Sequence, residues 1–84
     1  MVLTMTGSQL RDARFVLGAL WGLDRPLTMT EMGRALRLQA RDVGSAVRDY
    51  ERGKTIISGP LSALVTLYLR GAGPVDGLPA VLGE

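Results

Sequence analysis

Short apolar runs at helical spacing, separated by stretches rich in Gly, Pro and small polar residues, divide this 84-residue chain. In the first run Leu10, Ala13, Leu17, Leu20 and Trp21 recur on one face, while Arg11, Asp12 and Arg14 fall mostly on others. A helix should open there near Ser8. Thr6 or Ser8 can cap it, and Gln9, three residues after Thr6, fits a capping box. Gly22 and the Asp24-Arg25-Pro26 run end it, with Trp21 as a core or loop-closing residue. The second helix begins at Thr28 or Thr30, and Thr28 with Glu31 makes another capping-box pair. Met32, Ala35 and Leu36 supply its inward stripe and Leu38 closes it. Gly33 lowers helix propensity by about 1 kcal/mol relative to Ala. That makes sense where a neighbouring helix crosses close to its backbone.

Gln39-Ala40-Arg41-Asp42 reads as a loop, and a third helix runs from about Val43 to Arg52. Val43, Val47 and Tyr50, at i, i+4 and i+7, face inward, leaving Ser45, Arg48, Asp49 and Arg52 on the other side. Gly53 is a natural left-handed stop. Thr55-Ile56-Ile57 is short and extended, with its isoleucines directed at the core. The fourth helix takes Gly59 as cap and Pro60 at its first position, and buries Leu61, Leu64, Val65 and Tyr68. Leu67 and Leu69 lie further round, so this helix is apolar over more than one face. Gly71 and Gly73-Pro74 end it. The tail from Val75 to Glu84, with Leu78, Val81 and Leu82 among Pro and Gly, is a docked turn, a partner-binding arm or disorder.

The chain has only four aromatics, Phe15, Trp21, Tyr50 and Tyr68, so its core must be mostly Leu, Val and Ala, which suits helices. One small all-α domain, a four- to five-helix bundle, is the expected fold. The absence of Cys excludes disulfides, thiolate nucleophiles and Cys-based zinc sites. The absence of His excludes an imidazole base and His metal ligands. No metal or cofactor is expected. Leu61 to Leu69 is far short of the ~20 residues that span a bilayer, and the N-terminus lacks the pattern of a signal peptide. The expected location is cytoplasmic, with no membrane partner.

Net charge is only +2, but its distribution is uneven. Arg34, Arg37, Arg41, Arg48, Arg52 and Lys54 are opposed within that stretch by Asp42, Asp49 and Glu51 alone, so the positive balance sits in the middle of the chain. Nine of the ten basic residues are Arg, the side chain suited to forked contacts with phosphate and guanine.

Two short helices at a sharp angle, the second exposing polar residues, are what a helix-turn-helix needs. Tyr50-Glu51-Arg52-Gly53-Lys54, followed by Ser58-Gly59-Pro60 and an apolar helix, resembles the helix-turn-helix regulators of the Cro and phage-repressor type. In that family the recognition helix ends in an aromatic-Glu-x-Gly-Lys run, and Met32-Gly33-x-x-Leu36 is similar to its Leu-Ala-x-x-Leu pattern. The resemblance covers about residues 8 to 71, with lengthened links at Gln39–Asp42 and at Leu20–Met29. It implies a lambda-repressor-like fold, with residues 1–73 as the DNA-binding domain and 74–84 as a tail, a dimer contact or disordered.

The family's base-reading positions fall on Gly44, Ser45 and Asp49. Gly44 brings no side chain, which moves base reading onto Ser45, Arg48 and Asp49. Thr30, Arg37, Arg41, Arg52 and Lys54 are the phosphate candidates, and Glu51 ties the end of this helix to an arginine such as Arg14. The implied function is a sequence-specific regulator of transcription, a homodimeric repressor holding double-stranded DNA at an inverted repeat. Leu67, Leu69, Leu78, Val81 and Leu82 form the expected dimer interface. No further domain follows, so control by dose is expected and no small-molecule effector. The alternative is a protein-interaction module on the same scaffold, antiactivator- or antitoxin-like. No carboxylate pair forms a pocket pattern, so an enzyme is not expected.

Overall fold

The computed structural model describes residues 4–83. They form five helices: α1 (Gly7–Leu20), α2 (Met29–Ala35), α3 (Val43–Glu51), α4 (Gly59–Leu69) and α5 (Leu78–Leu82). The fold is all-α, with no strand among the described residues.

Local chemistry sets the helix starts. The Thr6 hydroxyl accepts from the Gln9 N–H at 3.1 Å, and Gln9 Oε1 accepts from the Thr6 N–H at 2.9 Å. Thr28 and Glu31 repeat this box at α2, with bonds of 3.0 and 2.8 Å. Arg25 donates twice to the Glu31 carboxylate, at 2.8 and 2.9 Å. That guanidinium, helped by the Thr28 amide and opposed by burial, pulls the Glu31 carboxyl down to about 2. At α4 the expected start shifts by one residue. Ser58 is the cap, its hydroxyl accepting from the Leu61 N–H at 3.3 Å, so Gly59 is the first helical residue and Pro60 the second. Serine supplies a side-chain acceptor where glycine has none.

The core is mostly small and aliphatic. α1 packs on α4 and α3, and α2 packs on α3 and α5. Leu10, Ala13 and Leu17 of α1 meet Met32, Ala35, Val47, Val65 and Tyr68, with Leu27 and Ile57 contributed by the links. Trp21 stands edge-on to Tyr68, ring centroids 5.3 Å apart. The Tyr68 hydroxyl donates to the Ala35 carbonyl at 2.7 Å and accepts from the Val75 N–H at 3.4 Å, so the buried phenol is fully used. The two isoleucines part company: Ile57 is buried, whereas Ile56 is 84% exposed. Successive residues of an extended segment point to opposite sides, and only one side here meets the core.

The tail corrects the expected dimer surface. α5 docks on α2, Val81 is 1% exposed, and Leu78 packs against the same core. Arg34 grips the end of α5, donating to the Val81 carbonyl at 3.1 Å. Val81 and Leu78 therefore serve the monomer's interior and are not free for a second copy. Of the remaining leucines, Leu69 and Leu82 are half-buried and Leu67 is exposed.

Candidate nucleic-acid interface

α3 has one buried side and one open side. Val47 is fully buried, with Val43 and Tyr50 half-buried. Arg48 and Arg52 are exposed, and Ser45 and Asp49 are half-buried. The first turn is organised by Asp42, the residue just before the helix. Its Oδ1 accepts from the Ser45 N–H at 3.1 Å, and its Oδ2 accepts from the Ser45 hydroxyl at 2.9 Å. Arg48 Nη2 donates to Ser45 Oγ at 3.3 Å, completing a chain from Asp42 through Ser45 to Arg48. The Ser45 amide first, and then its hydroxyl, hold the Asp42 carboxyl below the usual carboxylate range. The sequence reading placed Asp42 in the loop and missed this role. The signal was present: an Asp directly before an apolar-periodic run is a favoured helix cap.

Two glycines set how close α3 comes to α2. A Cβ on Gly33 would lie 2.7 Å from the Val43 Cβ, and one on Gly44 would lie 2.7 Å from Thr30 Oγ1. The close crossing expected at Gly33 is present, and the first turn of α3 rests on the first turn of α2. The lack of a side chain at 44 thus has a packing cause: Thr30 occupies the space.

The far end of α3 is strapped to α1. Arg14 Nε lies 2.8 Å from Glu51 Oε2, with side chains 12% and 6% exposed, and Arg14 Nη1 donates to the Leu27 carbonyl at 2.8 Å. Arg14 is the partner anticipated for Glu51. This ion pair, the Gly33–Val43 contact and the Gly44–Thr30 contact together fix both ends of α3.

The expected site residues divide into two groups. Thr30 lies against Gly44, and Ser45, Arg48, Asp49 and Arg52 follow along α3. Arg41 is exposed in the loop just before Asp42, and Lys54 is exposed three residues past α3, its N–H donating to the Asp49 carbonyl at 2.9 Å. Arg37 stands apart. It follows the C-terminal end of α2, the opposite end from Thr30, and its Nε lies 3.3 Å from Asp76 of the tail. Among the described residues no three acidic side chains gather in a way that could hold a metal ion, and no helix is long and apolar enough to cross a membrane. No protein-family model, curated protein or solved structure matches the chain.

Proposed function

We propose that the protein is a sequence-specific DNA-binding regulator of transcription, working as a homodimeric repressor on an inverted repeat. One observation carries this reading: a short helix tied down at both ends turns Arg48 and Arg52 outward, with Ser45 half-buried beside Arg48, while Val47 on its other side is locked into the core. In this reading α2 and α3 form the helix-turn-helix, with α3 entering the major groove. Arg48 forks to a guanine edge, Ser45 bonds a neighbouring base, and Asp49 accepts from cytosine N4. Arg41, Arg52, Lys54 and the first turn of α2 at Thr30 contact phosphates and set the register. Repression follows from occupancy, since a dimer seated on successive major grooves, ~34 Å apart, covers a promoter.

A second reading draws on Asp42. Its carboxylate sits at the head of α3, where it opposes an approaching phosphate, and Gly44 beside it offers no side chain. Both features suit a protein partner better than a duplex. Titrating duplex DNA at several salt concentrations separates the two. The DNA reading expects the logarithm of affinity to fall with the logarithm of salt by about 0.9 per phosphate neutralised. A tight complex with another protein and no duplex binding would replace it.

A further inference from the structure

Most of the hydrogen-bonding capacity of Ser45 is already engaged. A hydroxyl has one proton to donate and two lone pairs to accept with. The Ser45 proton goes to Asp42 Oδ2 at 2.9 Å, and one lone pair takes Arg48 Nη2 at 3.3 Å. A single lone pair is left. Ser45 is half-buried, so part of it still reaches the open side of α3.

Its two neighbours fix which way the proton points. Asp42 is held twice by the same residue, since Oδ1 accepts from the Ser45 N–H at 3.1 Å while Oδ2 takes the hydroxyl. Those two bonds, with a smaller pull from the charge of Arg48, keep the Asp42 carboxyl ionised below the usual range. An ionised carboxylate can only accept and a guanidinium can only donate, so both demand the same polarity of Ser45. A bond to a charged group is also roughly twice as strong as one between neutral groups. Turning the proton toward a base oxygen or ring nitrogen would exchange the stronger bond for a weaker one.

A serine ordinarily serves either kind of base edge. We infer that Asp42 makes Ser45 an acceptor alone, so that the base it meets in the major groove must present an exocyclic amino group, adenine N6 or cytosine N4. This rests on the DNA reading of α3 and narrows it. Beside the guanine that Arg48 forks to, the cognate site carries an amino group directed at Ser45, and an oxygen or ring nitrogen in its place is refused. The carboxylate at the head of α3 thereby gains a use despite opposing phosphate. Asp42 is a positioning residue: it sets what Ser45 can bond.

Removing single amino groups from the DNA tests the proposal. Duplexes bound by the full chain are selected from a random pool. Amino groups of the selected site are then deleted one at a time, with purine replacing adenine and the analogue lacking N4 replacing cytosine. One such deletion should weaken binding by the unaltered protein about fivefold and leave Ser45→Ala unmoved. An amino group bonded by Asp49 instead would be missed by both proteins alike, as would any weakened base pairing. Asp42→Asn should also be indifferent to the deletion. Asparagine caps a helix as well as aspartate does, but its amide can donate to Ser45 Oγ and release the hydroxyl proton. Circular dichroism and thermal unfolding will show that both variants keep the fold. The proposal fails if no amino group distinguishes the unaltered protein from Ser45→Ala, or if Asp42→Asn retains the full loss. Either result on a bound duplex leaves the DNA reading standing. A chain that selects no duplex at any salt concentration would overturn both.

Discussion

Arg14 on α1 and Glu51 at the end of α3 form a forked pair, Nε to Oε2 at 2.8 Å and Nη2 to Oε1 at 3.2 Å. The residues lie 37 positions apart in the chain, so this contact forms only once α1 and α3 have docked. Both side chains are mostly buried, which makes loss of one partner worse than loss of both.

Glu51→Ala should therefore lower unfolding free energy by about 3 kcal/mol. Arg14→Met combined with Glu51→Leu should recover much of that loss, because no unpaired charge remains inside. Urea unfolding of the two variants measures the difference. A single variant as stable as the unaltered protein would show that the pair is not needed to hold α3.

Gly33→Ala should be destabilising by about 1–2 kcal/mol although Ala is the better helix former. The added methyl would lie 2.7 Å from the Val43 Cβ and 2.9 Å from the Val43 carbonyl oxygen, forcing α2 and α3 apart. Thermal unfolding gives the sign. A stabilised variant would mean that the helices separate without penalty.

The Glu31–Arg25 pair predicts an acid limb. The Glu31 carboxyl is held at about 2, below its ordinary value of 4.5, so it contributes stability above that ordinary value and loses it as pH falls toward 2. Arg25 is nearly half exposed, so the contribution at neutral pH is discounted to on the order of 2 kcal/mol. Glu31→Gln should flatten the stability profile between about pH 5 and 2. A profile of unchanged steepness would place the acid sensitivity elsewhere.

Val81→Ala should lower stability by about 2 kcal/mol through the cavity it leaves. Because Val81 serves the monomer's own core, that loss should be the same at all protein concentrations. A loss that shrinks on concentrating the protein would return Val81 to an interface.

On the DNA reading, Arg48→Ala weakens cognate binding by about 1–3 kcal/mol and relaxes discrimination at one base pair. Lys54→Ala weakens cognate and random duplex alike and reduces the salt slope by about one. Fluorescence anisotropy across salt concentrations reads both. If Arg48→Ala left cognate affinity intact, Arg48 would be no base reader.

Features set by nearby residues were readable from the chain. The boxes at Thr6–Gln9 and Thr28–Glu31 depend on groups three positions apart, and the inward residues of α1 and α2 follow helical periodicity. Gly33 announced a close crossing because little else rewards glycine inside a helix. The tie expected between Glu51 and an arginine such as Arg14 is present as a mostly buried pair. Where adjacent candidates competed, local pattern was too coarse: Ser58 displaced Gly59 as the cap, and Ile57 displaced Ile56 from the core. The docking of α5 was not legible. Five residues carry too little periodicity, and the grips on the tail come from Arg34 and Tyr68, distant in the chain. In the candidate site, Arg37 looked equivalent to Arg41 by charge alone, but the end of α2 directs it toward Asp76.

The seating of Gly44 on Thr30 bears on how this chain can change over generations. A side chain at 44 must first turn the Thr30 hydroxyl aside, since a Cβ there would lie 2.7 Å from Thr30 Oγ1 but 3.5 Å from the Thr30 backbone nitrogen, so that position changes most easily together with Thr30. Altered preference for whatever α3 meets must arise further along, at 45, 48, 49 and 52. A library randomised at those four sites would keep α2 and α3 seated as they are, whereas one randomised at 44 would need Thr30 varied with it.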